Sequence, residues 1–185
     1  MIDIETERVF SRMFTMNDVD DFAPICANPQ VMKYLGHDCK PVPREEVEYA
    51  IESYIKYWEK HGIGRWAIIY KENNKLIGCA GLRLHEGTPE LVVLLDEPYW
   101  RKGLATEIGR AVFKYGFETR GFDRIIAMTR PANTGSRRLM NKLGMRFLEE
   151  AIVFGQYQAV IYEILREEYL NPAFSAFNQN SLAVQ

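Results

Sequence analysis

Residues 91–107 read LVVLLDEPYWRKGLATE, and this stretch decides how the rest of the chain is interpreted. The apolar run 91–95 predicts a buried strand, and a turn with two acidic residues and a proline follows it. Arg101, Lys102 and Gly103 then precede a segment that predicts a helix. A helix N-terminus presents unpaired N–H groups and partial positive charge, so this combination predicts a phosphate cradle. The alternative is that Gly103 only permits a tight strand-to-helix turn.

A second candidate anion site follows the next predicted strand, in residues 131–145, PANTGSRRLMNKLGM. Asn133 is suited to cap a helix, and Gly144 is suited to end it. Arg137 and Arg138 fall in the first half of this helix, where cations oppose the helix dipole unless an anion lies near. We therefore expect two helix N-termini and several cations to meet one polyanionic ligand. Neither GxxxxGK[ST] nor GxGxxG, the common nucleotide-binding patterns, occurs in the chain.

Hydrophobic periodicity in the rest of the chain predicts a mixed fold. Strands are expected at 8–14, 65–71, 76–85, 90–96, 123–129, 145–150 and 156–165, and the main helices at 18–26, 43–61, 103–118 and 134–143. Asn17 is the expected cap of the first helix. Gly78 and Gly81, inside a predicted strand, indicate a bulge or a close backbone approach. The predicted fold class is α/β (α+β), a mixed and mostly antiparallel sheet of about seven strands with helices on both faces.

Charge is unevenly distributed along the 185 residues, although the formal net charge is only −2. Residues 97–146 contain 11 Lys and Arg against 4 Asp and Glu, a balance of +7, and the remainder has a balance of −9. A basic block in an otherwise acidic chain indicates an anionic partner, either a small ligand or a nucleic acid. No RNP-like or helix-turn-helix pattern accompanies the block, so DNA is not the expected partner.

Length and composition favour one domain, residues 1–170, followed by a C-terminal tail, residues 171–185. Phe174 and Phe177 in the tail either dock on a neighbouring surface or fray with it. No apolar run of about 18 residues occurs and the acidic N-terminus is unlike a signal peptide, so we expect a cytoplasmic protein without a membrane partner. Three cysteines without CxxC spacing, and three histidines without metal-ligand spacing, argue against a metal site.

Both motif segments resemble the GNAT superfamily of N-acetyltransferases. Residues 99–107, YWRKGLATE, resemble its acyl-CoA pyrophosphate loop, usually written [Q/R]-x-x-G-x-[G/A]. Residues 133–145, NTGSRRLMNKLGM, resemble the family's following N-x-x-S…K-L-G-F segment. The early acidic helix and the Tyr-Trp pair resemble the RimJ/RimL branch, which acetylates α-amino groups of ribosomal proteins. The resemblance covers about residues 8–166 and implies a GNAT-type acyl-CoA N-acyltransferase fold.

The resemblance also implies acetyl-CoA as a cosubstrate and indicates which residues bind it. Backbone amides from Arg101 to Thr106 are expected to hold the pyrophosphate, and the strand at 93–95 is expected to pair with the pantetheine arm. Asn133 is expected to contact the arm or a phosphate, and Arg137 or Arg138 the 3′-phosphate. The implied cofactor-binding set is Val93, Leu94, Leu95, Arg101, Lys102, Gly103, Leu104, Ala105, Thr106, Asn133 and Arg137.

Amine acetylation needs a base for the amine, a donor for the oxyanion and a route for the leaving thiolate. The resemblance implies Glu90, which opens the cofactor-binding strand, as the base; the alternative is a solvated carboxylate at a strand end. Ser136 matches the serine proposed as the thiolate partner in the RimL-like branch; the alternative is a first-turn serine that caps its helix. Met140 stands where many relatives have a tyrosine proton donor.

The leading hypothesis is an N-acetyltransferase that transfers an acetyl group from acetyl-CoA to a primary amine by direct attack in a ternary complex. The acceptor is either a protein N-terminal α-amine, as in a ribosomal protein, or a small-molecule amine. The alternative is a non-catalytic acyl-CoA-binding regulatory module. A monomer and a homodimer are both compatible with the sequence.

Overall fold

Seven strands form one mixed sheet in the computed structural model, which describes residues 4–36, 38–171 and 174. The strands are β1 Val9–Met13, β2 Arg65–Tyr70, β3 Lys75–His85, β4 Thr88–Leu95, β5 Arg124–Thr129, β6 Arg146–Val153 and β7 Tyr157–Leu165. Their order is β1-β2-β3-β4-β5-β7-β6. β4 and β5 pair in parallel, whereas β1–β2, β2–β3, β5–β7 and β6–β7 are antiparallel. The predicted mixed, mostly antiparallel sheet is confirmed.

The helices of the described residues are α1 Val19–Ala27, α2 Pro29–Met32, α3 Arg44–His61, α4 Leu104–Lys114, α5 Thr134–Lys142 and α6 Arg166–Leu170. The predicted helix over 103–118 is confirmed in extent, and its last turn, Tyr115–Thr119, is π-helical and follows α4 directly. The prediction that Asn17 caps α1 is wrong. A 3-10 turn, Met16–Asp18, precedes α1, and the Asp18 carboxylate accepts the Thr15 N–H over 2.7 Å.

The described chain separates into two compact units, and the division runs through the β3–β4 hairpin. The first unit comprises the described residues up to Arg83 together with Val92–Val112. The second comprises Leu84–Leu91 and the described residues from Phe113 onward. β4 therefore contributes its first four residues to the second unit and its last four to the first.

The core of the first unit lies between α1, α3 and strands β1 to β3. Val47 and Ile51 occupy the buried face of α3, as the helical spacing of apolar residues predicts. Pro43 precedes α3 in an extended conformation, and Gly62 ends it with a φ of +63°. The N–H of Gly62 donates to the carbonyl of Trp58 over 2.8 Å, which satisfies one of the last carbonyls of the helix.

The core of the second unit contains Ile126, Val153, Ala159 and Ile161, contributed by the strands β5, β6 and β7. In addition, the ring of Phe174 lies against Tyr169, with ring centroids 5.7 Å apart. The expectation that tail phenylalanines dock is thus confirmed for Phe174, and Phe177 lies outside the described residues.

Candidate functional site

The chain leaves β4 through a compact turn that leads into α4. Asp96 caps a 3-10 turn, Glu97–Tyr99, because its Oδ1 accepts the N–H of Glu97 over 2.9 Å. The Trp100 indole N–H then donates to the carbonyl of Leu95 over 2.7 Å. This hydrogen bond spans five residues and closes the turn onto the end of β4.

The turn residues Arg101 and Gly103 both adopt positive φ, +59° and +77°. The N–H groups of Thr106 and Glu107 both donate to the carbonyl of Gly103 over 3.1 Å. The N–H groups of residues 103–105 therefore precede the first intrahelical hydrogen bonds of α4, at the positive end of the helix dipole. Leu104 is buried and anchors the helix start, whereas Arg101 and Lys102 are exposed. The turn has the geometry and charge of an anion cradle.

A carboxylate in the first turn of α4 ties this helix to the start of β1, a feature that the sequence interpretation missed. Glu107 Oε2 lies 2.7 Å from both Nε and Nη2 of Arg8. Glu107 Oε1 accepts the Arg8 backbone N–H over 3.0 Å and the Thr6 hydroxyl over 2.5 Å. Arg8 Nη1 donates to the carbonyl of Lys102 over 2.7 Å. No local sequence signal predicts this, since Arg8 and Glu107 are 99 residues apart.

The end of β4 is held by a close approach of β3. A Cβ placed on Gly78 would lie 2.0 Å from the carbonyl oxygen of Leu94 and 2.9 Å from the Cα of Leu95. The N–H of Asp96 donates to the carbonyl of Ile77 over 2.8 Å. The prediction of a bulge or a close backbone approach at Gly78 is confirmed on both counts, because the β2–β3 register also shifts between Ile68, which pairs with Gly78, and Ile69. The close approach fixes the path of the strand segment 93–95.

The candidate base Glu90 lies inside β4 and not at its end. Glu90 is only 2% exposed, and it pairs in register with Ile126 of β5 within the second unit. The alternative of a solvated carboxylate at a strand end is therefore wrong, because Glu90 is buried and β4 begins two residues earlier, at Thr88.

The second unit also contains the predicted cap at the start of α5. Asn133 Oδ1 accepts the N–H of Ser136 over 3.1 Å, so the prediction that Asn133 caps the helix is confirmed. Ser136 is half-buried in the first turn. Arg137 is exposed and donates from Nε to the Tyr162 hydroxyl over 3.4 Å, a hydrogen bond that raises the pKa of Arg137. Met140 is buried and contributes to packing.

The described residues contain no group of three or more His, Cys, Asp or Glu arranged to hold a metal ion. Cys26 and Cys79 are buried in the first unit, and burial raises the pKa of these thiols to about 12 and about 11. Neither is a thiolate nucleophile at neutral pH. Over the same described residues, no helix is long and apolar enough to cross a bilayer.

Comparison with known proteins identifies the family. The family model for the acetyltransferase (GNAT) domain matches residues 8–146. The chain belongs to the GNAT family. It is 32% identical over 151 residues to the uncharacterized N-acetyltransferase YoaA of Bacillus subtilis, an alignment that covers 77% of this chain and 82% of YoaA. It is 28% identical over 173 residues to the uncharacterized N-acetyltransferase YnaD of the same organism, covering 90% and 98% of the two chains.

Solved GNAT structures share the fold described above. A GNAT acetyltransferase from Bacillus anthracis superimposes with a TM-score of 0.79 at 28% identity, and the alignment covers 90% of this chain and all of the other. A Vibrio cholerae protein named as a ribosomal-protein-serine acetyltransferase superimposes with a TM-score of 0.74 at 16% identity, covering 89% and 97%. The second likeness establishes the fold alone. The chain is an N-acetyltransferase, and GNAT enzymes use acetyl-CoA as the acetyl donor.

Proposed function

We propose that this GNAT enzyme transfers an acetyl group from acetyl-CoA to a primary amine by direct attack in a ternary complex. The observation that carries the proposal is the turn before α4. Gly103 with its positive φ, the N–H groups of residues 103–105 and the exposed cations Arg101 and Lys102 suit a pyrophosphate. The charge block of +7 over 97–146 suits the several phosphates of CoA.

Of the predicted set from Arg101 to Thr106, the residues up to Ala105 would hold the pyrophosphate through their backbone N–H groups. The N–H of Thr106 already donates to the carbonyl of Gly103 over 3.1 Å. The backbone of Val93, Leu94 and Leu95 would pair with the pantetheine arm, in the manner of an added strand. Asn133 and Arg137 would contact the arm and the 3′-phosphate. The Oδ1 atom of Asn133 already accepts the N–H of Ser136, so the amide nitrogen of Asn133 would donate the hydrogen bond to the ligand.

Direct attack requires that the amine lone pair form the new C–N bond while the thioester C–S bond breaks. In this proposal Glu90 takes the proton that the ammonium must lose, through a water molecule or directly. The CoA thiolate leaves with the electron pair of the C–S bond, and Ser136 donates a hydrogen bond or proton to it. The raised pKa values of the Cys26 and Cys79 thiols argue against either of these two as an acetyl-carrying nucleophile.

For the acceptor we propose a protein N-terminal α-amine, as in a RimJ/RimL-like enzyme, with a small-molecule amine as the second candidate. The name of the Vibrio cholerae structure and the early acidic helix support the first candidate. The balance of −9 outside 97–146 suits a cationic acceptor of either kind. We further propose one N-acetyltransferase domain over 1–170, acting in the cytoplasm as a monomer or homodimer.

A thiol-release assay tests this function. The protein is mixed with acetyl-CoA and a panel of peptides with free N-termini, their N-blocked counterparts, and small amines. We expect thiol release with at least one free amine and none with blocked peptides. Tight binding of acetyl-CoA without turnover on any amine would instead favour the non-catalytic acyl-CoA-binding module.

A further inference from the structure

Arg8 connects three parts of the first unit through one side chain. Its guanidinium spans the carbonyl of Lys102, in the turn, and the carboxylate of Glu107, in the first turn of α4. The side chains of Arg8 and Glu107 are 35% and 16% exposed, so the ion pair is partly withdrawn from water. When an arginine binds two groups through its planar fork, it holds them in a defined geometry and also places a positive charge beside them.

The contact with Lys102 bears on the direction of the next N–H group. In a planar trans peptide the carbonyl of one residue and the N–H of the next point in opposite directions. Because Arg8 holds the carbonyl of Lys102, the N–H of Gly103 is directed away from Arg8. This peptide joins Lys102 to Gly103, which has a φ of +77°, and Arg101 just before it has a φ of +59°. A positive φ at a non-glycine residue such as Arg101 is sparsely populated and persists where surrounding contacts hold it.

The contact with Glu107 bears on the charge of the turn. Burial raises the pKa of Glu107, but the hydrogen bonds from Thr6 and Arg8 outweigh burial, so its pKa lies below the ordinary value. The carboxylate is therefore ionised at neutral pH, one turn from the N–H groups of residues 103–105. An uncompensated negative charge at this distance would oppose an anionic ligand. Arg8 supplies the compensating charge.

We propose that Arg8 is a positioning residue for the pyrophosphate of acetyl-CoA: it aims the N–H of Gly103 and neutralises Glu107. The proposal rests on the proposed binding of that pyrophosphate by residues 101–106. Arg8 does not touch the ligand itself; it acts through Lys102 and Glu107.

The test measures two dissociation constants for each variant of the full chain by calorimetry. One is for acetyl-CoA, and the other is for S-acetylpantetheine, which lacks the pyrophosphate and the 3′-phosphoadenosine attached to it. Arg8→Ala is expected to raise the Kd of acetyl-CoA at least about tenfold, or about 1.4 kcal/mol, and to leave that of S-acetylpantetheine within about twofold. Arg8→Lys, which keeps the charge but loses the fork, is expected to give an intermediate loss. Arg8→Ala combined with Glu107→Gln is expected to recover part of the loss.

Arg12→Ala is the matched control. Arg12 lies on β1, four residues after Arg8, and likewise forms a two-point ion pair, at 2.8 and 2.6 Å, but with Asp18. Its loss is expected to leave the preference for acetyl-CoA over S-acetylpantetheine unchanged. A wild-type protein without this preference would refute the pyrophosphate site and the role of Arg8 together. A wild-type preference that Arg8→Ala and Arg8→Lys both retain, or that Arg12→Ala reduces equally, would refute the role of Arg8 alone.

Discussion

Replacing Gly78 by alanine tests whether the approach of β3 sets the path of β4 toward the turn. The new Cβ would stand 2.0 Å from the carbonyl oxygen of Leu94 and 2.9 Å from the Cα of Leu95. Both neighbours are backbone atoms, so no side-chain rotation relieves the overlap. The end of β4 must therefore move by roughly 1 Å to restore an ordinary contact.

The expected magnitude combines two costs. Gly78 has a φ of +150°, which an alanine adopts only with strain, and the overlap adds the cost of overpacking. Together these amount to roughly 2–6 kcal/mol. For a chain of this length Tm is expected to fall by at least about 4 °C. A shift of about 1 Å in a binding strand is also expected to weaken acetyl-CoA binding about tenfold, which corresponds to the loss of about one hydrogen bond.

Thermal unfolding and calorimetric titration with acetyl-CoA measure both effects. Gly121→Ala is the matched control, because Gly121 has a φ of +67° but open space around its Cβ position. The control is expected to lose about 1–2 kcal/mol of stability and no affinity. If Gly78→Ala binds acetyl-CoA as tightly as Gly121→Ala does, the inference that Gly78 sets the path of the binding strand is refuted.

Three further predictions concern separate residues. Gly103→Glu is expected to raise the Kd of acetyl-CoA more than about tenfold, through backbone strain and negative charge in the cradle, as measured by calorimetry. Glu90→Gln is expected to lower kcat roughly 100-fold at pH 7 and to recover above about pH 9, where an α-amine is already neutral; a flat pH–rate difference would exclude Glu90 as the base. Burial raises the pKa of Asp18, but hydrogen bonds from Arg12 and Thr15 outweigh burial and hold this pKa below 3.8. The ionised Asp18 therefore stabilises the fold above pH 3.8, and this stabilisation is lost as the pH falls through the lowered pKa of the folded state. Denaturant titrations from pH 6 to pH 2 are therefore expected to show a smaller loss of stability in Asp18→Asn than in the wild type.

Local patterns predict those elements whose residues carry the signal themselves. The apolar spacing of Val47 and Ile51, with Pro43 before and Gly62 after, is sufficient to place α3. Gly78 inside a strand indicates a bulge or a close backbone approach, and the structure shows both at this residue. Asn133 as a cap follows from its side chain alone, and the structure confirms its hydrogen bond.

Features that depend on distant residues could not be predicted in this way. Asn17 and Asp18 are equally good capping residues, and the contact of Asp18 with Arg12 on β1 decides between their positions. The ion pair joins Arg8 and Glu107, which are 99 residues apart, so the local motif around Gly103 does not predict it. The burial of Glu90 was missed for a related reason, because it depends on the neighbours of β4 in the sheet.

The binding of the CoA pyrophosphate by the turn before α4 is the claim on which the proposed function depends most. Nuclear magnetic resonance of the ¹⁵N-labelled protein tests it directly, because each backbone N–H in the turn gives its own signal. On addition of CoA we expect the largest shifts at residues 101–106, and addition of pantetheine is expected to leave the signals of Gly103, Leu104 and Ala105 in place. If CoA binds without moving these signals, or pantetheine moves them equally, the turn is not the pyrophosphate site.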